Sequence, residues 1–349
     1  MINILIADDS ATETLILRKI FESESDMKVI GYAKNGKEAV DLVARLKPTI
    51  VTMDIQMPVM DGIEAIRQIM SQHPTPIVVI SSKLNDEAMT VSFNALDAGA
   101  LSVLDKPVDI TSPAFDKIRQ RIVNSVRSMS EIKVVKRRFH PKSKHKKLIV
   151  SKPLLPAAHD FEIIAIGTSV GGPQALKQIL SELPADFPVP IVVVQHMTPG
   201  FISGFVKWLN DNTSLVVKEA QNQELLQAGN VYFAPDGCHL QIERGKEAPR
   251  AKLIKGLPVS GFYPSATVLL QSVAESYGKN AIGLLLTGMG YDGAHGLLEL
   301  KGAQGHTLIQ DPDSAVVFGM AAVAQSLNAV DKVVDLGKIA GYLIAATKK

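Results

Sequence analysis

FEIIAIGTSVGGPQALKQIL, residues 161–180, decides the fold. An apolar run ends in a glycine-rich turn, and Pro173 then opens a stretch with apolar residues at helical spacing. That order predicts a buried strand, a tight turn and a helix, the repeating unit of a parallel sheet covered on both faces. Downstream, PIVVVQH (190–196) and AIGLLLTG (281–288) are further short apolar runs of core-strand length. Upstream, INILIA, VIGYA, TIVTMD, PIVVI and ALSVLD each precede an amphipathic stretch, which gives five more strand and helix pairs before residue 126.

The chain therefore reads as α/β, with two doubly wound parallel-sheet domains: a flavodoxin-like one at 1–126 and a Rossmann-like one at 158–349. Its 349 residues agree with about 150 per domain. Residues 1–126 carry 13 Lys/Arg against 17 Asp/Glu, and residues 153–349 carry 14 against 17, so both large segments are acidic. The excess base lies between them, where residues 127–152 hold 10 Lys/Arg against 1 Asp/Glu, including KVVKRRFHPKSKHKKLIVSK (133–152). Self-repelling charge with proline marks 127–157 as a linker, either a solvated tether or a docking arm for an acidic surface. The single cysteine, Cys238, excludes an internal disulfide framework and a Cys-rich zinc site. No apolar run approaches the roughly 18 residues a membrane span needs, and MINILIADDS reads as a first strand, so a cytoplasmic protein without membrane insertion is expected.

Ligands in such folds gather outside the carboxyl ends of the strands. In the first domain those positions are Asp8 and Asp9, Asp54, Ser81 and Lys106. Convergent carboxylates beside a lysine suit a hard cation and a phosphoryl group. These residues resemble the receiver domain of two-component response regulators, the match running through Asp8-Asp9, MDIQMPVMDG (53–62), Ser81, Ala98-Gly99-Ala100 and Lys106-Pro107. The resemblance implies that Asp54 accepts a phosphoryl group from a histidine kinase, that Asp8, Asp9 and Asp54 bind Mg²⁺, and that Lys106 and Ser81 contact the phosphoryl oxygens. It also implies a cis bond at Lys106–Pro107.

A receiver needs an output domain. The acidic, alternating second half argues against a helix-turn-helix reader of nucleic acid. Gly167 to Gly172 has P-loop glycine spacing, but Pro173-Gln174 stands where the phosphate-binding lysine belongs. Dinucleotide binding is no better served, because the next strand ends in Gln195 and His196 instead of a ribose-binding acid. The turn does satisfy G-x-S-x-G with Gly167, Ser169 and Gly171, which lifts a serine hydroxyl above a strand end. His196 and Asp292 lie at equivalent positions, so nucleophile, base and orienter can converge. Each also has a plainer reading: Ser169 as a cap, His196 as a satisfied histidine, Asp292 as a turn residue in GMGYDGA (288–294).

IGTSVGGPQAL (166–176), VVVQHMTPGF (192–201), YFAPDGCHL (232–240) and LLTGMGYDGA (285–294), behind a receiver, resemble the chemotaxis protein-glutamate methylesterases of the CheB family over essentially the whole chain. The resemblance implies hydrolysis of glutamyl γ-methyl esters on chemoreceptors, with glutamine deamidation in some members, and no cofactor for the ester step. It assigns Ser169 as nucleophile, His196 as general base, Asp292 as its partner and the Met289 backbone N–H as oxyanion donor. It departs at Val170, where enteric members have threonine, and at Thr267, where aspartate is usual. A monomer whose partners are chemoreceptors and a chemotaxis (CheA-like) histidine kinase, with no nucleic acid, is expected. The alternative is a phosphorylation-switched binding module without esterase activity.

Overall fold

A computed structural model of the chain describes residues 1–81, 86–107, 115–132, 134 and 160–348, and leaves the side chains of 86–91 undescribed. The chain divides into two units, Met1–Lys146 and Lys147–Lys349. From 135 to 159 the basic stretch expected to act as a linker lies outside the described residues. Among the described residues no helix is long and apolar enough to cross a membrane.

The first unit alternates strands β1 (Ile2–Ala7), β2 (Met27–Ala33), β3 (Ile50–Met53), β4 (Ile77–Ser81) and β5 (Ser102–Asp105) with helices α1 (Ala11–Glu22), α2 (Gly36–Leu46), α3 (Gly62–Gln72), α4 (Asp86–Ala98) and α5 (Phe115–Ser130). Every strand pairing is parallel, in the order β2-β1-β3-β4-β5. β3 is buried along its whole length, so its sequence shows no alternation of apolar and exposed polar residues and even Thr52 lies inside. Three helices start on side-chain caps: Ser10, Asn35 and Asp61 accept from the backbone N–H of Glu13, Glu38 and Glu64. Because β1 feeds β2 on one side and β3 on the other, a crevice opens above the ends of β1 and β3, where Asp8 and Asp54 stand.

The second unit carries a seven-stranded sheet in the order β14-β13-β12-β6-β7-β9-β8, again with parallel pairings throughout. Its strands are β6 (Ile163–Thr168), β7 (Ile191–Gln195), β8 (Val216–Glu219), β9 (Asn230–Phe233), β12 (Ala281–Leu285), β13 (His306–Gln310) and β14 (Lys332–Val334). The chain enters at β6, builds outward through β7, then returns to the other side of β6 with β12. The switch point lies between β6 and β12. Both are buried throughout, and α8 (Ala266–Tyr277) packs on β6 and on an antiparallel hairpin of β10 (His239–Glu243) and β11 (Arg250–Ile254). That hairpin falls outside the expected scheme of parallel strand and helix units.

The expected cis bond at Lys106–Pro107 is not found; the cis peptide among the described residues is Tyr263–Pro264. Lys106 reaches its carboxylate partners without it, because its N–H pairs with the Ser81 carbonyl at 3.0 Å and carries the side chain over the crevice.

Candidate active site

Ser169 follows β6, and its placement rests on two backbone hydrogen bonds and a glycine turn. Its N–H donates to the Thr287 carbonyl (3.1 Å) and its carbonyl accepts from Gly172 N–H (2.9 Å), while Gly171, at φ 78°, makes the turn into α6 (Gly172–Ser181) that a residue with a side chain resists. Thr287 adds a brace: its hydroxyl donates to the Val170 carbonyl (2.8 Å) and accepts from Val317 N–H (2.9 Å). The nucleophile loop is thereby tied to the segment after β12.

His196 stands one strand over, in register, since Thr168 faces Gln195 and His196 N–H donates to the Thr168 carbonyl at 2.9 Å. Buried Gln195 binds the two turns together, its amide donating to the carbonyls of Ser169 (2.9 Å) and His196 (2.8 Å). From the loop after β12, Asp292 meets the imidazole: His196 Nε2 donates to Asp292 Oδ2 across 2.8 Å. His196 Nδ1 is buried and has no partner among the described residues, so it is the nitrogen left to face a substrate or the serine. No hydrogen bond joins Ser169 to His196 among the described residues, as is common before a substrate tightens such a site.

Asp292 is fully buried. Burial opposes its charge, yet the hydrogen bonds from His196, Ser265 and Thr267 outweigh that and hold its carboxyl below the usual carboxylate range. It caps the amino end of α8, taking the N–H groups of Ala266 (2.7 Å) and Thr267 (3.1 Å) and the Ser265 hydroxyl (2.7 Å). The helix end stabilises an anion there permanently. Phe262 lies flat on the His196 ring, centroids 3.8 Å apart and planes 4° from parallel. It fixes the imidazole plane from the face that carries no hydrogen bond.

Among the described residues, unpaired backbone N–H groups flank Ser169 in sequence and in space. Gly288 packs so near the nucleophile that a Cβ there would fall 2.9 Å from Ser169 Cβ. The N–H of Met289, next in the chain, has no partner among the described residues, and neither does that of Val170. Met289 is 37% exposed and Tyr291 51% exposed, so the site has an open, apolar lip.

In the first unit the carboxylates of Asp8, Glu13 and Asp54 lie with oxygens within 4.8 Å of one another. The Lys106 ammonium sits among them, 3.1 Å from Asp8, 3.0 Å from Asp54 and in contact with Glu13. Burial works against its charge, but the bonds to Glu13 and Asp54 prevail and hold it protonated well above the ordinary lysine range. Burial pushes Asp8 up to about 6 and raises Asp54 as well. Asp9, in the bend after β1, is exposed, and Glu13 from α1 joins Asp8 and Asp54 in the cluster. Ser81 ends β4, half-buried.

Comparison with known proteins identifies the family of both units. Residues 164–343 match the family model for the CheB methylesterase, and residues 4–113 the response regulator receiver domain. The chain belongs to the CheB methylesterase family. It is 44% identical over 347 residues to protein-glutamate methylesterase/protein-glutamine glutaminase 4 of Myxococcus xanthus, covering 99% of this chain and 97% of that protein. It is 43% identical over 336 residues to protein-glutamate methylesterase/protein-glutamine glutaminase 2 of Methanospirillum hungatei, covering 94% and 93%. The crystal structure of the Thermotoga maritima CheB methylesterase catalytic domain superposes with a TM-score of 0.52 at 37% identity, over 53% of this chain and 97% of that one. Membership of the CheB family sets aside the alternative of a binding module without esterase activity.

Both departures from the CheB pattern have a local account. Thr267 needs no carboxylate: its N–H serves Asp292 and its hydroxyl accepts from Gly293 N–H at 2.7 Å. Val170 contributes its backbone to the Thr287 brace, for which the side chain is immaterial.

Proposed function

We propose that this chain hydrolyses glutamyl γ-methyl esters on chemoreceptor cytoplasmic segments, with Ser169, His196 and Asp292 as its triad and Asp54 as its phosphorylation switch. The observation that carries this reading is the His196–Asp292 pair at 2.8 Å with Nδ1 left free at the end of the strand beside Ser169. Ser169 Oγ attacks the ester carbonyl while His196 Nδ1 takes its proton. The oxyanion that forms is met by the Met289 N–H, with the Val170 N–H beside it. Collapse expels methanol, which leaves with the proton from His196, and water then releases glutamate by the same steps in reverse. With an amide in place of the ester, ammonia leaves instead, which accounts for the paired name of the relatives as glutaminases.

In the receiver, Asp54 takes a phosphoryl group from the histidine kinase of the chemotaxis system. The buried, under-compensated carboxylates fit a divalent cation: burial has raised Asp8 and Asp54 where a single lysine faces three acids. Asp8 and Asp54 would hold Mg²⁺, which when bound neutralises phosphoryl oxygens; Asp9 is exposed beside them. Lys106 pairs with the phosphoryl group, and Ser81 supplies a hydroxyl to it.

The Asp8 value makes cation binding pH-dependent. Its carboxyl titrates at about 6 against 3.8 when free, so below about pH 6 it keeps a proton that a cation must displace. Titration calorimetry of the full chain should find Mg²⁺ binding about tenfold weaker at pH 5 than at pH 7.5. Equal affinities would mean that Asp8 carries no proton at pH 5.

The functional test is initial methanol release from methylated receptor membranes, with and without a small phosphoryl donor and Mg²⁺. The donor should raise the rate of the native chain and leave Asp54→Asn at its basal rate. A hundredfold activation needs only about 2.7 kcal/mol of differential stabilisation, within reach of one or two charge-assisted hydrogen bonds. Activation of Asp54→Asn to the native level would refute the switch.

A further inference from the structure

Asp292 is served by a residue that the triad chemistry leaves unused. Ser265 is fully buried, and its hydroxyl donates to Asp292 Oδ1 at 2.7 Å, while Oδ2 takes His196 Nε2 at 2.8 Å. The same Ser265 oxygen accepts from the Thr267 and Val268 N–H groups of α8 (3.1 and 3.5 Å), so its one proton is committed to the carboxylate. Behind it lies buried His239, whose Nδ1 accepts the Ser265 N–H at 3.1 Å and whose Nε2 donates to the Leu257 carbonyl at 3.0 Å. Since the peptide N–H can only donate, Nδ1 must be bare and the proton must sit on Nε2. A continuous chain of hydrogen bonds thus runs from the Leu257 carbonyl through His239, Ser265 and Asp292 to His196.

We propose that Ser265 is a positioning residue of the esterase triad, seated by His239, which holds the plane of the Asp292 carboxylate so that the oxygen facing His196 stays in line with the imidazole N–H. This rests on the reading of His196 and Asp292 given above. Without the hydroxyl, Oδ1 keeps only the Thr267 N–H at 3.1 Å while Oδ2 keeps the Ala266 N–H at 2.7 Å, so the carboxylate is held firmly at one oxygen only and can tilt about its Cβ–Cγ bond. Ser265 does not touch the reacting atoms. Its loss acts on turnover through the orientation of His196 and leaves substrate binding alone.

The complication is that Ser265 also caps α8. Glycine is tolerated at a helix N-cap with a loss of only a few tenths of a kcal/mol, whereas threonine keeps both cap and donor. In the full-length chain with phosphoryl donor and Mg²⁺, Ser265→Gly should lower kcat for methanol release by about 10 to 100-fold with KM within about twofold, and Ser265→Thr should restore most of it. Placed in an Asp292→Asn background, Ser265→Gly should cost little more, because it acts through the group already altered. His239→Gln, which removes the acceptor for the Ser265 N–H, should show the same kcat-selective loss in weaker form. A folded Ser265→Gly chain of native kcat, or a full multiplicative loss in the Asp292→Asn background, would overturn the role. A dead Ser169→Ala beside a full-speed Ser265→Gly sinks only the role of Ser265, whereas an active Ser169→Ala sinks the esterase mechanism on which it stands.

Discussion

Ser169→Ala should abolish methanol release, lowering turnover by about 10⁶, because nucleophile and base act as a unit and the hydroxyl has no substitute at that strand end. Ser169 is buried to 8% exposure, and its backbone contacts to Thr287 and Gly172 do not involve the side chain, so the variant should fold unchanged. A serine-directed phosphonate should label the native chain at Ser169 and leave Ser169→Ala unlabelled. Native activity in the folded variant would end the triad assignment.

Asp292→Asn should lower turnover by about 10⁴, through the tautomer of His196 and not through charge alone. In the native site the carboxylate can only accept, so the imidazole proton is held on Nε2 and Nδ1 is bare to receive the serine proton. The Ser265 hydroxyl and the Ala266 and Thr267 N–H groups all donate to this side chain. An asparagine oxygen kept at the Oδ1 place, toward the Ser265 hydroxyl and the Thr267 N–H, puts its NH₂ at the Oδ2 place, where it meets His196 and moves the ring proton to Nδ1, blocking the serine. Kinetics on the full-length variant, with a melting curve to show that α8 stays capped, should find the loss in kcat. A drop of less than about tenfold in a folded variant would mean that Asp292 does not set the tautomer.

The proposed triad and phosphoryl site were legible in sequence because Ser169, His196, Asp54 and Lys106 directly follow strands and Asp292 lies in a glycine-rich motif after one. Ser169 announces itself by the glycines around it, and Asp54 by the turn that follows. The positions that stayed hidden are those whose role exists only in three dimensions. Phe262 stacks on His196 from a loop 66 residues further along, in a segment with no periodic signal. Ser265 reads as an ordinary N-cap before an apolar run, and only the approach of Asp292 gives its hydroxyl a second meaning. Glu13 reads as the first-turn acid of a capped helix, and its reach to Lys106 depends on how α1 lies over β1. Which imidazole nitrogen faces Asp292 is likewise a matter of ring orientation, beyond the reach of spacing.

The position of β12, β6 and β7 in the middle of a seven-stranded sheet has a consequence for how the esterase fails under heat. Amides in such central strands exchange with solvent only when the whole domain opens, while edge strands such as β14 and β8 fray at far lower free energy. The three catalytic turns sit on the strands that open last. The strand ends that carry Ser169 and His196 therefore hold their spacing until the sheet itself opens, whereas the loop that brings Asp292 from β12 is held by its contacts with the end of α8 and sets the milder route to inactivation.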